Sequence, residues 1–173
     1  MNLSSAPPWK IHLIATVEEK SNVIGKNGGI PWNLYLAMVR SHRLMQGHPV
    51  IMDKATYQEW GYAIPGCELI VVSFFDYLPA LHGAHRVCDS YHEARDYARS
   101  RSSSIFVIGG EELFFEALSE ADTLYLTIVE YSGIRGDQFF PDYHKENFRI
   151  VEEEHHAEGN HAFTFATFER SAV

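Results

Sequence analysis

The sequence predicts an α/β fold built on a mainly parallel sheet with antiparallel strands at its edge. Short, continuous apolar runs, such as residues 11–17 and 105–108, are typical of strands buried on both faces. Segments with helical spacing of apolar residues alternate with these runs. The chain ends in two strand-like segments, 148–155 and 162–169, joined by AEGNH, a hairpin signal. Strands and helices that alternate before a terminal hairpin indicate such a sheet.

The first half of the chain begins with a buried strand at 11–17 (IHLIATV). Residues 18–33 contain NGG and IPWN and show neither the helical nor the strand period of apolar residues. An irregular segment of that length in a compact domain more often has a function than serves only as a connection. Residues 34–46 are a predicted helix that Gly47 ends. HPVIMD at 48–53 is the second strand, and a short helix follows at Lys54–Trp60.

In the second half, the turn AIPG leads into a strand at 68–73, and Arg86–Cys88 is a short strand. Residues 90–101 form a helix, because Tyr91, Ala94, Tyr97 and Ala98 fall on one face. The remaining elements are a strand at 105–108, a helix at Glu111–Leu118 and a strand at Thr123–Val129. We find no repeat or linker and expect one domain over residues 1–173.

A glycine pair separates the strand at 105–108 from the helix behind it. Glycine permits positive φ and close approach of the backbone to a ligand. The helix start offers free N–H groups and the positive end of a dipole, which suits a phosphate. Gly109-Gly110 is therefore a candidate phosphate site, although a tight connection alone would give the same pattern.

Composition narrows the class of function. A net charge of −9 argues against nucleic acid or an anionic membrane as a partner. No apolar run reaches the roughly 20 residues of a membrane span, and MNLSSAPPWK does not read as a signal peptide. Cys67 and Cys88 fit a reducing cytoplasm better than a disulfide framework. The histidines near the C-terminal turn lack metal-like spacing, so we expect no metal.

The motifs taken in order resemble the dihydrofolate reductase family. They are IHLIA, VIGKNGGIPWNL, GHPVIM, IPG before a buried strand, VIGGEELF, LYLT and GDQFFPDY. The resemblance implies a three-layer fold with an eight-stranded central sheet, about four helices, an NADPH site and a pterin pocket. It also implies a small-molecule partner, and we expect a monomer.

The resemblance also implies roles for individual residues. Trp32, holding an ordered water, and Thr127 would belong to the catalytic site. The substrate would contact Ile14, Ala15, Ala37, Met38, Ser41, Ile64, Cys67 and Ile108. The cofactor would contact Thr16, Ile24, Gly25, Lys54, Ala55, Thr56, Ser73, Gly109, Gly110, Glu111, Glu112, Leu113 and Phe114.

The substrate pocket departs from the family pattern at three positions. The family's carboxylate, six positions after the proline of PW, is Ala37 here, and alanine can neither accept a hydrogen bond nor carry charge. Ser41 replaces an aromatic residue, and Cys67 replaces the arginine that grips the folate tail. We expect activity on dihydrofolate to be weak for this reason.

The cofactor side departs less. Asp53-Lys54 replaces a glycine-arginine pair, and Phe74 stands where a hydroxyl often helps bind the 2′-phosphate. NADPH is the expected cofactor and NADH is an alternative.

These observations favour an NADPH-dependent reductase that transfers hydride to a C=N bond of dihydrofolate or a related pterin. One alternative is a reductase of a tail-less substrate, such as a riboflavin-pathway pyrimidine or a modified pterin. The other is a catalytically degenerate nucleotide-binding protein.

Overall fold

The computed structural model of the protein describes residues 9–60, 64–73, 83–130 and 132–172. The α-helices in this part are α1 (Tyr35–Met45), α2 (Lys54–Trp60), α3 (Tyr91–Arg99) and α4 (Glu111–Leu118), and a 3-10 helix spans Tyr143–Lys145. The strands are β1 (Lys10–Glu18), β2 (Val23–Gly25), β3 (Pro49–Asp53), β4 (Glu68–Val72), β5 (Arg86–Cys88), β6 (Ser104–Val107), β7 (Thr123–Val129), β8 (Gln138–Phe139), β9 (Phe148–Glu158) and β10 (His161–Arg170).

Eight strands form the central sheet in the order β5-β4-β3-β6-β1-β7-β10-β9. The first six are parallel neighbours, with β1 between β6 and β7. The C-terminal hairpin adds β10 and β9 antiparallel to β7 and to each other. The predicted α/β fold, with a mainly parallel sheet and a terminal hairpin, is confirmed.

Helices cover both faces of this sheet and make three layers. On one face, α3 and α4 pack their buried side chains against alternate strand residues, such as Leu13 and Ile51. On the other face, α1 and α2 supply Met45 and Tyr57, which pack against the intervening strand residues, such as Met52. The alternation follows from the two-residue period of a strand, which sends successive side chains to opposite faces.

The irregular segment at 18–33 contains one strand that the sequence did not indicate. β2 pairs with β8 in a separate two-stranded sheet, with Val23 opposite Phe139. Asn27 and Gly28 have φ of 52° and 78° in a tight turn closed by the bridge between Lys26 and Gly29. Consecutive positive φ angles are the requirement that Asn-Gly meets in such turns.

The C-terminal hairpin is tighter than AEGNH suggests. Its strands run to Glu158 and from His161, which pair directly, so the loop is Gly159-Asn160 alone. Gly159 has φ of 59°, which a residue with a side chain rarely adopts.

No helix in the described ranges is long and apolar enough to cross a membrane. Within the same ranges, His, Cys, Asp and Glu side chains form no cluster that could hold a metal ion.

Candidate active site

Two adjoining cavities open where β1, β3 and β6 end. The narrow cleft, of about 70 Å³, runs along the turn after β6. The broad cavity, of about 400 Å³, lies between α1 and α2. Thr16, Ile30 and Glu59 line both. The carboxyl ends of parallel strands are where open α/β sheets bind ligands, and the larger volume is in the range of small-molecule sites.

The narrow cleft is built around the glycine pair. Gly109 has φ of 143°, and the Gly109–Gly110 peptide bond is cis. A Cβ on Gly109 would lie 2.7 Å from Thr56 Oγ1, and one on Gly110 would lie 2.5 Å from Asp53 Oδ2. Both distances are shorter than real Cβ contacts, so a side chain at Gly109 or Gly110 would force Thr56 or Asp53 to shift.

Asp53 sits against this turn. Its backbone N–H donates to Gly109 O at 2.7 Å. Its carboxylate caps α2 by accepting from Thr56 N at 2.8 Å. Asp53 therefore fixes the turn to the start of α2 and also places a negative charge beside it.

The loop that leads from β2 closes one side of both cavities. Lys26 N donates to Gly29 O at 2.8 Å, and Gly29 N donates to Lys26 O at 3.0 Å. Asn27 N donates to Asp137 Oδ2 at 3.0 Å, and Ile30 N donates to Glu59 Oε1 at 2.7 Å. Two carboxylates therefore hold the loop through its backbone.

The α1 wall of the broad cavity is largely apolar. Ala37 is buried beside Trp32 and Leu34 in a cluster that continues to the C-terminal hairpin. Ser41 Oγ donates back to Ala37 O at 2.9 Å. The Trp32 indole Nε1 is buried and has no hydrogen-bond partner among the described residues.

The α2 wall is polar and aromatic. Glu59 is exposed and lines the cavity beside Trp60. The His42 ring stacks on Trp60, with centroids 5.4 Å apart and planes 25° apart. His42 is half-buried.

Many of the predicted site residues line one of the two cavities. Those in the narrow cleft are Ala15, Thr16, Ile24, Gly25, Ala55, Thr56, Ile108, Gly109, Gly110 and Phe114. Those in the broad cavity are Thr16, Trp32, Ala37, Met38 and Ser41. The roles assigned to these residues stay predictions.

Other predicted residues do not line either cavity. Thr127 is buried in β7, opposite Thr16 of β1. Ile14 and Ile64 belong to the core under α1 and α2. The cofactor candidates Lys54, Ser73, Glu111, Glu112 and Leu113 lie outside the cleft lining, and Leu113 is fully buried on the inner face of α4. Phe74 lies outside the described residues.

Cys67 lines a different groove, with His48, His85 and Arg101. Its thiol donates to Met45 O at 3.3 Å. Burial raises the pKa of the Cys67 thiol, which keeps it protonated and unreactive.

The sequence did not indicate several lining residues, namely Ile30, Leu34, Glu59, Trp60 and Gln138. Gln138 is part of GDQFF, and its pairing with Gly25 brings it to the cleft. Glu59 carries no signal of its own, because a carboxylate on a short helix is most simply a solvated side chain.

Known proteins resemble the chain over almost its whole length. A family model described as dihydrofolate reductase matches residues 10–170. Dihydrofolate reductase type 3 of Salmonella typhimurium is 31% identical over 171 residues, covering 92% of this chain and 98% of that protein. Dihydrofolate reductase of Haemophilus influenzae is 34% identical over 137 residues, covering 78% and 81%.

A solved structure agrees with the fold. Dihydrofolate reductase from Enterococcus faecalis, complexed with NADP(H) and RAB-propyl, superposes with a TM-score of 0.82 at 24% identity. The match covers 94% of this chain and 97% of that chain.

Proposed function

The chain belongs to the dihydrofolate reductase family, and on that premise we propose that it is an NADPH-dependent reductase of dihydrofolate or a closely related pterin. The observation that carries the proposal is the junction of two cavities of different character. The narrow cleft follows the glycine turn, and the broad cavity has the volume of a small-molecule site. Because Thr16, Ile30 and Glu59 line both, ligands in the two cavities would meet at these residues.

The residues of the narrow cleft fit a dinucleotide cofactor. Gly109 and Gly110 leave open the space that side chains would fill, and Thr56 offers a hydroxyl beside them. These three would hold the phosphates, while Thr16 and Gly25 would frame the nicotinamide. When bound, NADPH supplies a hydride for a C=N bond. NADH is the alternative cofactor, because Phe74 stands where a hydroxyl often helps bind the 2′-phosphate that only NADPH carries.

The protein's part in the reaction is to orient the substrate and to exclude bulk water while it admits single water molecules. The unpaired Trp32 N–H, buried in the cavity wall, would hold an ordered water beside the substrate. The proton would come from water that enters past Gly28 and Gly29, since Ala37 offers no acid. Slow turnover of dihydrofolate follows from that loss.

The test is the kcat/KM for dihydrofolate, with NADPH saturating, in the native protein and in Ala37→Asp. We expect weak native turnover and a gain of at least roughly tenfold in the variant, because a positioned acid contributes at least that much. The control is Ala37→Asn, whose side chain has the size of aspartate without its charge, and its kcat/KM should gain little. Native turnover at an ordinary enzyme's rate, unchanged by Ala37→Asp, would contradict the proposed weakness.

A second candidate is a reductase for a substrate without an acidic tail. In the described part of the chain no Lys or Arg lines the broad cavity, and Cys67 faces a separate groove. A glutamate tail would therefore lack a cationic partner there. A higher kcat/KM for a tail-less dihydropterin than for dihydrofolate would favour this candidate. Cofactor binding without turnover of either would leave a degenerate binding protein.

We further propose that residues 1–173 form one domain that acts as a monomer in the cytoplasm and does not bind nucleic acid. The acidic net charge of −9 and the two buried free cysteines support this setting. Light scattering on the purified protein would test the monomer.

A further inference from the structure

The described residues place one charged side chain in the wall of the broad cavity. Among its described lining residues, Glu59 is the only Asp, Glu, Lys or Arg. It lies in the last turn of α2. On the α1 wall, Ala37 is buried and offers no polar side-chain atom. The cavity therefore keeps a carboxylate, but it comes from α2 instead of α1.

Glu59 lies at the junction of the two cavities. It lines both cavities, together with Thr16 and Ile30. A ligand that contacts Glu59 in the broad cavity is therefore next to whatever fills the narrow cleft. A side chain at this junction can select which ligand meets a cofactor, and in which orientation.

The Glu59 carboxylate is held by one hydrogen bond and can accept others. Its Oε1 accepts from Ile30 N at 2.7 Å, which fixes the side chain against the loop. An ionised carboxylate has two oxygens and about four lone-pair sites, so one N–H leaves room for further donors. The fixed carboxylate is thus ready to accept from a ligand.

The residues around Glu59 indicate the chemical class of the ligand that binds there. No Lys or Arg lines either cavity in the described ranges, so the protein supplies no cation beside Glu59. Glu59 is exposed to solvent in the open cavity, and a ligand that covers it displaces its water. The N–H donors that replace this water have to come from the ligand. Trp60, stacked on His42, adds a flat aromatic side chain to the same wall. A planar ring with N–H groups along one edge satisfies both features.

We propose that Glu59 is the specificity-determining acid of the broad cavity, binding the N–H edge of a planar, amino-substituted heterocycle. It supplies from α2 the binding carboxylate that Ala37 cannot supply from α1, but it does not replace the acid that supports protonation of the ring. The inference rests on the proposed function, since it names the substrate class of the same site.

The test is the affinity of 2,4-diaminopyrimidine, a ring with two amino groups, measured by calorimetry with and without NADPH. In Glu59→Gln we expect Kd to rise at least about tenfold, because charge-assisted pairs are roughly twice as strong as neutral ones. Gln keeps an oxygen that can accept from Ile30 N, so the loop stays anchored while the charge is lost.

Two further variants separate Glu59 from general charge effects. Glu116→Gln removes the same charge from α4, outside both cavities, and should leave Kd unchanged. The double variant Glu59→Gln/Ala37→Asp returns a carboxylate to the cavity from the other wall. It should recover most of the lost affinity.

Equal affinity of the native protein and Glu59→Gln would overturn the inference, and so would failure of the native protein to bind the probe. Failure of the proposed function has a different signature. In that case no variant oxidises NADPH with dihydrofolate, while binding of the probe still depends on Glu59.

Discussion

Asp53 places a fixed negative charge beside the glycine turn of the narrow cleft. One carboxylate oxygen caps α2 through Thr56 N, and the other is the nearest atom to the Cβ position of Gly110. Two unit charges 4 Å apart interact by about 1 kcal/mol in water and about 4 kcal/mol at an effective dielectric constant of 20. An anionic cofactor held by the turn would therefore be repelled by an amount that matters for affinity.

We expect Asp53→Asn to tighten NADPH binding by roughly fivefold or more, the equivalent of about 1 kcal/mol. Asn is as good a helix cap as Asp, so the start of α2 should be preserved. Calorimetric titration with NADPH measures the change. Asp89→Asn removes an exposed acid that lines neither cavity and serves as the control. An unchanged or weaker affinity in Asp53→Asn would mean that the phosphates lie away from this carboxylate.

The sequence indicated the glycine turn because a buried strand, paired glycines and a helix are adjacent in the chain. Glu59 was not foreseeable in this way. Its role depends on how α2 packs against the loop at Ile30, which is 29 residues away in the sequence. Cys67 is the converse case: its position after IPG suggested the substrate pocket, but its side chain lines the groove of His48 and Arg101.

The same contrast holds for whole elements. α2, α4 and β7 coincide with the segments predicted from apolar runs and helical spacing, because burial of those residues is a local property of the sequence. β2 and β8 have three and two residues, and their pairing joins parts of the chain more than a hundred residues apart. Nothing local in either segment identifies its partner.

The start of α1 depends on the C-terminal hairpin. Leu34, at the cap position, provides no side-chain hydrogen bond. Glu158 at the hairpin tip takes its place, accepting from Tyr35 N at 2.6 Å and from Leu36 N at 3.0 Å. A carboxylate there satisfies two free N–H groups and complements the helix dipole. The hairpin thus fixes the helix that carries Ala37.

Replacing Glu158 by Ala should lower the free energy of unfolding by about 1 kcal/mol, the usual value of a helix cap. Urea denaturation followed by circular dichroism measures it. Glu153→Ala, an exposed glutamate on the same strand, controls for the change in strand propensity and should cost less. Because α1 forms one wall of the broad cavity, the Glu158 variant should also raise KM. Equal stability of the two variants would show that the cap contributes nothing.

The central sheet contains a buried histidine, His12. His12 of β1 lies between neighbouring strands, with ring centroids 4.9 Å from Phe106 and 5.8 Å from Tyr125. Its Nδ1 has no hydrogen-bond partner in the described part of the chain. Burial lowers the pKa of His12 from 6.5 to about 4, with Lys10 and His48 acting in the same direction and Asp122 against it. The fold therefore requires a neutral imidazole at its centre.

Acidification should destabilise the protein through His12. Between the unfolded pKa of 6.5 and the folded pKa of about 4, the unfolded chain binds a proton that the folded chain does not, so stability falls with pH. The loss is about 2 kcal/mol from pH 7.5 to 5 and reaches about 3 kcal/mol below pH 4. Urea denaturation at pH 7.5 and at pH 5 measures this loss of unfolding free energy. His12→Leu keeps an apolar side chain between the rings without the titration, and it should lose about 2 kcal/mol less over the same interval. Identical pH dependence in both proteins would mean that His12 becomes protonated within the fold as readily as in the unfolded chain.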